Sequence, residues 1–139
     1  MDAITRVPVP VNEPVKSYAL GSPERAEIEA ALVSATSAEP AELTGTFGAE
    51  RRPGTGADRY EVRMPSDHGT VLGVVQQASH ADAQQAIDAA LAAAPDWAAL
   101  PFDQRAAVFL RAADLIAGPY RARINAATML GQSKTCYQA

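Results

Sequence analysis

The chain has 139 residues, the length of one domain, and its 47% hydrophobic and 20% charged residues are the proportions of a globular protein. Such a chain is expected to hide roughly 68–70% of its unfolded surface. Twelve basic residues against sixteen acidic ones leave a net charge of −4, which argues against nucleic acid as a partner.

The single cysteine, Cys136, cannot form an internal disulfide or a zinc cage, and it fits a reducing, cytoplasmic setting. No apolar run approaches the length of about 18 residues that spans a bilayer, so no membrane association is expected. The N-terminus also lacks the basic-then-apolar order of a signal peptide.

Residues 1–21 read as an extended arm, because Pro8, Pro10 and Pro14 each remove a backbone donor and disfavour helix at the preceding residue. A first helix is predicted over 22–35. Ser22 is its N-cap, Pro23 suits the first turn, and Ile28, Ala31, Leu32 and Ala35 form one apolar face.

The 40–78 region changes period. Leu43 to Phe47 is a short apolar run ending at Gly48. Tyr60, Val62 and Met64 then alternate with charged residues, and Ser66-Asp67-His68-Gly69 supplies turn chemistry. Thr70 to Ala78 is a second β run. These residues predict a small antiparallel hairpin with the first short strand beside it.

From 79 to 139 the period is helical again. Ser79 or Asp82 starts a helix whose stripe is Ala83, Ala86, Ile87, Ala90, Leu91 and Ala94. Pro95 is expected to stop it, leaving Trp97 as a buried plug. A second helix runs from about Phe102 to Ala117, with Ala106, Phe109, Leu110, Ala113 and Ile116 inward. Gly118-Pro119 breaks it and restarts a third, with Ile124, Ala127, Thr128 and Leu130 inward and Gly131 as its C-terminal cap. Residues 132–139 read as a turn and one turn of a further helix, with Ser133 as N-cap. The sequence is expected to be cut there, since one helical turn has met the nucleation cost with little return. The fold class is therefore α+β: arm, helix, β-hairpin, then three to four helices.

No motif in this chain carries chemistry by itself. Gly54-Thr55-Gly56 begins a dinucleotide fingerprint, but Arg59 stands where the third glycine belongs and no helix opens there, so a turn is the reading. Gly131-Gln132-Ser133-Lys134-Thr135 is similar to the end of a phosphate loop, but Ser133 precedes Lys134, position 127 is Ala and no strand leads in. His68 and His80 have no partner at metal-ligand spacing. Arg51-Arg52 reads as a solvated turn. Cys136 needs a base and an oxyanion hole to act as a nucleophile, and both histidines are far away in sequence. No catalytic, cofactor-binding or metal-binding residue is assigned.

Three stretches carry a resemblance: Asn12-Glu13-Pro14-Val15 with Tyr18-Ala19 and Gly21-Ser22-Pro23-Glu24-Arg25; the helix from Arg105 to Leu115; and Asn125-Ala126-Ala127-Thr128-Met129-Leu130-Gly131-Gln132-Ser133-Lys134-Thr135. Together they resemble the N-terminal part of the L-glutamate γ-semialdehyde (Δ1-pyrroline-5-carboxylate) dehydrogenases, a branch of the aldehyde dehydrogenase superfamily. The likeness runs through nearly the whole chain in one register, and the last block is its most specific part.

The resemblance implies an α/β parent several times longer, which oxidises the semialdehyde to glutamate with NAD in proline catabolism through a cysteine thiolate and a glutamate. None of those residues, nor the NAD site, maps onto these 139 positions, and Cys136 falls outside the nucleophile motif. The segment is thus expected to be scaffold flanking an absent cofactor domain, inactive and without NAD when alone. It would associate with itself or with the rest of the dehydrogenase. The alternatives are a truncated non-catalytic product and a small interaction module that associates with a full-length relative.

Overall fold

The structure, a computed structural model, describes residues 6–139. The first five residues of the expected arm lie outside the described residues. The arm runs without regular structure to a turn at residues 20–21, and α1 follows at Pro23–Ser37. Ser22 caps α1 by accepting a hydrogen bond from the Arg25 N–H at 3.3 Å, with Pro23 in the first turn, where its missing donor costs nothing.

The β region holds more than a hairpin. Strand β1 (Ala41–Leu43) lies parallel to β5 (Asp67–Gln76), and β4 (Arg59–Met64) pairs antiparallel to β5, giving the order β1-β5-β4. Between them, β2 (Gly45–Phe47) and β3 (Glu50–Arg52) form a separate two-stranded ribbon. The apolar run from Leu43 to Phe47 is therefore split between two sheets. Gly48, at φ 67°, takes the left-handed position that the tight turn of the ribbon requires.

The loop from β4 to β5 is Pro65-Ser66, two residues earlier than the expected turn centre. Asp67 accepts hydrogen bonds from the Gly69 N–H and the Thr70 hydroxyl while already on β5, so its turn chemistry is satisfied within the strand. Register shifts at Val62/Arg63 and Arg63/Met64 absorb the irregularity beside this loop.

The helical part departs from expectation at two places. Helix α2 (His80–Ala99) runs through Pro95. Proline there deletes one N–H bond to the carbonyl four residues back, and the helix closes beyond it with Leu100 N–H on the Trp97 carbonyl at 3.3 Å. Trp97 is consequently a partly exposed helical residue and not a plug. Helix α3 is Phe102–Ala117, and α4 is Arg121–Gln132 with Tyr120 before its first turn.

The C-terminal cap of α4 is not Gly131, which lies inside the last turn, but Ser133 in the left-handed conformation at φ 52°. The final turn is capped by Thr135: the Gln138 side-chain oxygen accepts from Thr135 N–H at 2.9 Å, and Ala139 N–H reaches the Thr135 carbonyl at 3.1 Å.

The core sits between α1, α4 and the arm. Ile28, Ala126 and Tyr18 are buried, with Ala31, Leu32, Met129 and Cys136 packed around them. Helix α4 is thus rotated from the expected phase. Ala126 faces inward, because its small side chain lets α1 approach, whereas Ile124 and Ala127 are exposed. The side of α3 expected to face inward does not: Phe109 and Ile116 are more than half exposed and no α3 residue is buried, while on α2 Ile87 and Leu91 of the stripe are exposed and Asp82 alone is buried.

The extended arm, with Val9, Val11, Val15 and Leu20 exposed, adds to the uncovered surface. The chain exposes 10340 Å², against about 6,900 Å² for a compact monomer of its mass. Folding hides about half of the unfolded surface, short of the two-thirds that the length implied.

Candidate functional site

Two polar constellations organise the molecule. The first is centred on Asp82, whose side chain is only 2% exposed. The spacing of Ser79 and Asp82 makes a reciprocal cap at the start of α2: the Ser79 hydroxyl accepts from Asp82 N–H at 3.1 Å, and Asp82 Oδ2 accepts from Ser79 N–H at 2.8 Å. The same Oδ2 accepts the Thr55 N–H at 2.7 Å and the Thr55 hydroxyl at 2.8 Å. Oδ1 pairs with Arg52 Nη1 at 2.8 Å.

These donors hold the Asp82 carboxyl far below the usual carboxylate range. The Ser79 backbone N–H is the largest cause, followed by that of Thr55, and together with the Thr55 hydroxyl and Arg52 they outweigh the opposing effect of burial. Asp82 is therefore a fixed anion with both oxygens committed. It is unsuited to general acid or base work, and it ties β3, the 53–58 loop and α2 together.

Arg52 is not in a solvated turn. It lies on β3 with its guanidinium 4.2 Å from the centre of the Phe47 ring, and it also donates to Gln85 Oε1 at 2.7 Å. Arg51, beside it, is exposed and donates to Thr44 Oγ1.

The glycines of Gly54-Thr55-Gly56 serve the same junction. Gly56 N–H donates to the Gln77 carbonyl at 2.7 Å, and a Cβ at Gly54 would stand 2.2 Å from that oxygen. Protein backbone occupies the space that a phosphate would need, so this segment does not fit a dinucleotide. The segment around Lys134 does not fit one either, since it leaves a helix rather than entering one from a strand.

The second constellation is a cleft of about 770 Å³ between the arm, α3, α4 and the C-terminal turn. Arg121 Nη1 donates to the Pro14 carbonyl at 3.1 Å, Asn125 Nδ2 donates to the Tyr18 hydroxyl at 3.1 Å, and the Tyr137 hydroxyl donates to the Ser17 carbonyl. Tyr18, at φ 50°, is held in the left-handed region by these contacts and by an edge-on approach to Tyr137. Cys136 lines this cleft with Glu13 and Asp114, but neither histidine does. His68 lies on β5 and His80 begins α2. Among the described residues, no group of three or more His, Cys, Asp or Glu could hold a metal ion, and no helix is long and apolar enough to cross a membrane.

Sequence reasoning missed the Asp82 cluster. The Ser79-x-x-Asp82 spacing was its one local signal; Arg52 and Thr55 enter from residues roughly thirty positions away.

The comparisons with known proteins cover this whole architecture. The family model described as "Aldehyde dehydrogenase family" matches residues 52–139. The chain is 39% identical over 137 residues to a Delta-1-pyrroline-5-carboxylate dehydrogenase of Agaricus bisporus, covering 99% of this chain and 25% of that protein. A human relative named as the mitochondrial form is 38% identical over 134 residues, covering 92% and 22%. A solved Delta-pyrroline-5-carboxylate dehydrogenase from Mycobacterium tuberculosis, bound with NAD and cobalamin, is 56% identical, with a TM-score of 0.92 over 99% of this chain and 26% of that one. The chain spans about a quarter of the length of the relatives it matches. It is similar to one segment of these enzymes, and it belongs to the aldehyde dehydrogenase family.

Proposed function

We propose that these 139 residues are the N-terminal segment of an NAD-dependent L-glutamate γ-semialdehyde dehydrogenase, which oxidises the semialdehyde to glutamate in proline catabolism. The observation that carries this reading is a match at 56% identity, in one register over 99% of the chain, to a pyrroline-5-carboxylate dehydrogenase solved with NAD.

Within that enzyme the segment is scaffold. The Asp82 junction fixes the β ribbon and the 53–58 loop to α2, and the α1–α4 pair anchors the arm. Alone, the segment neither turns over semialdehyde nor holds NAD: Cys136 shares its cleft with no imidazole, and both glycine-bearing segments are committed to backbone packing or helix exit. A single thiol suits a reducing, cytoplasmic compartment.

The test is NADH formation from glutamate semialdehyde by the pure chain. None is expected, and formation abolished by Cys136→Ala would refute the proposal.

A second reading, a non-catalytic short product that associates with a full-length relative, draws support from the exposed apolar stripes of α2 and α3. The size of the protein made from the native gene separates the two readings.

A further inference from the structure

Residues 14–18 of the arm cross between the two packed helices. On the α4 side, Arg121 holds the Pro14 carbonyl and Asn125 holds the Tyr18 hydroxyl. On the α1 side, Lys16 pairs with Glu27 at 3.8 Å, and the Ser17 hydroxyl donates to Glu24 at 3.4 Å. From the C-terminal turn, the Tyr137 hydroxyl donates to the Ser17 carbonyl. The segment carries no helix or strand of its own, and Val15 at its middle is almost fully exposed. Side-chain tethers and one buried ring, that of Tyr18, hold it in place.

Its two ends differ. At one end a turn closes with the Ser22 N–H on the Ala19 carbonyl at 3.0 Å, and Gly21 sits at φ 80° with open space around it. Glycine tolerates large backbone rotation there, as a hinge requires. At the other end, beyond Pro14, the arm continues extended with Val9 and Val11 exposed. Opposing forces meet at Tyr18. Burial of its ring favours the closed position, whereas φ 50° is strained for a residue other than glycine, and the strain is relieved when the segment lifts. The surface tethers contribute little each. Segments held in this way open at far lower cost than the whole fold.

We infer that residues 14–18 are a flap, hinged at residues 19–21, that lifts as one unit from α4 and the C-terminal turn. Closed, it walls the cleft and places Tyr18 in the cluster against which Cys136 packs. Open, it admits solutes to the apolar floor at Ile116 and Ile124 and uncovers the thiol. Cys136 is the reporter of this motion.

The experiment measures the rate at which N-ethylmaleimide labels Cys136 in the native 139-residue chain, in water and in low urea. When closing outpaces labelling, the rate follows the open population. Arg121→Ala removes the tether at the free end and is expected to raise the rate about fivefold, the weight of one hydrogen bond. Tyr137→Phe should do the same. Together they should multiply to about 25-fold, because both bonds close the same flap. Low urea should leave the rate nearly unchanged, since lifting a flap exposes little surface.

A rate unmoved by Arg121→Ala, with or without acceleration in Tyr137→Phe, overturns the inference, because the far tether then does not govern the thiol. A rate that climbs with urea in step with global unfolding also overturns it. Either result leaves the functional reading standing.

Discussion

Ile28→Ala tests the α1–α4 core most sharply. Ile28 is 3% exposed, packed with Tyr18 and Ala126 and flanked by Leu32 and Met129. The substitution removes three carbon groups, worth about 0.8 kcal/mol each in burial, or about 2.4 kcal/mol. A residual cavity adds to this, and large-to-small changes of this kind cost about 2–5 kcal/mol. The half-buried neighbours have room to relax into the space, which places the value near about 3 kcal/mol. A domain of this size loses about 4 °C of Tm per kcal/mol, so the transition should fall by about 12 °C. Among the described residues only four apolar side chains are buried, which sets the total near the low end of the 5–15 kcal/mol range, and a loss of about 3 kcal/mol is then roughly half of it.

The assay is thermal unfolding followed by circular dichroism at neutral pH, beside Val33→Ala on the same helix. Val33 is 65% exposed and should cost no more than about 0.5 kcal/mol. Equal shifts for the two variants would refute this account of the core.

Asp82→Asn should loosen the junction of β3, the 53–58 loop and α2, and flatten the acid limb of stability. The native carboxyl lies below its unfolded value of about 3.9, so its contribution is complete above that pH and declines as pH falls toward the native value. Urea midpoints compared between about pH 5 and pH 2 check the sign, and parallel curves would contradict it. Two glycines should respond in opposite directions. Gly54→Ala puts a Cβ against the Gln77 carbonyl and should cost about 1–3 kcal/mol, while Gly131→Ala, inside α4 with open space around it, should gain about 0.5–1 kcal/mol. Both are read from urea midpoints.

Helix ends were legible in the sequence wherever a cap or breaker marks them. Ser22-Pro23 opens α1, and Gly118 closes α3, its N–H reaching the Asp114 carbonyl. The β2–β3 ribbon was not legible, since Gly45-Thr46-Phe47 and Glu50-Arg51-Arg52 carry no alternation and owe their place to Phe47 under Arg52. Pro95 misled because a proline late in a long helix deletes one bond without ending the run. On α4 the expected stripe of Ile124, Ala127, Thr128 and Leu130 is out of phase, because close approach of α1 selects Ala126, which lies off that stripe. The apolar period of α2 and α3 was legible, but the inward reading of Phe109 and Ile116 fails because periodicity does not say whether anything covers a face. The Asp82 junction was half legible: Ser79-x-x-Asp82 is local, whereas the approach of Arg52 and Thr55 is a product of the fold.

The central claim, that these residues are one segment of a dehydrogenase, is tested most directly by the intact mass of the protein made from its native gene. Relatives covered to about a quarter of their length predict a mass about four times 14.6 kDa. A mass of 14.6 kDa would contradict the claim and favour a short product acting through a partner.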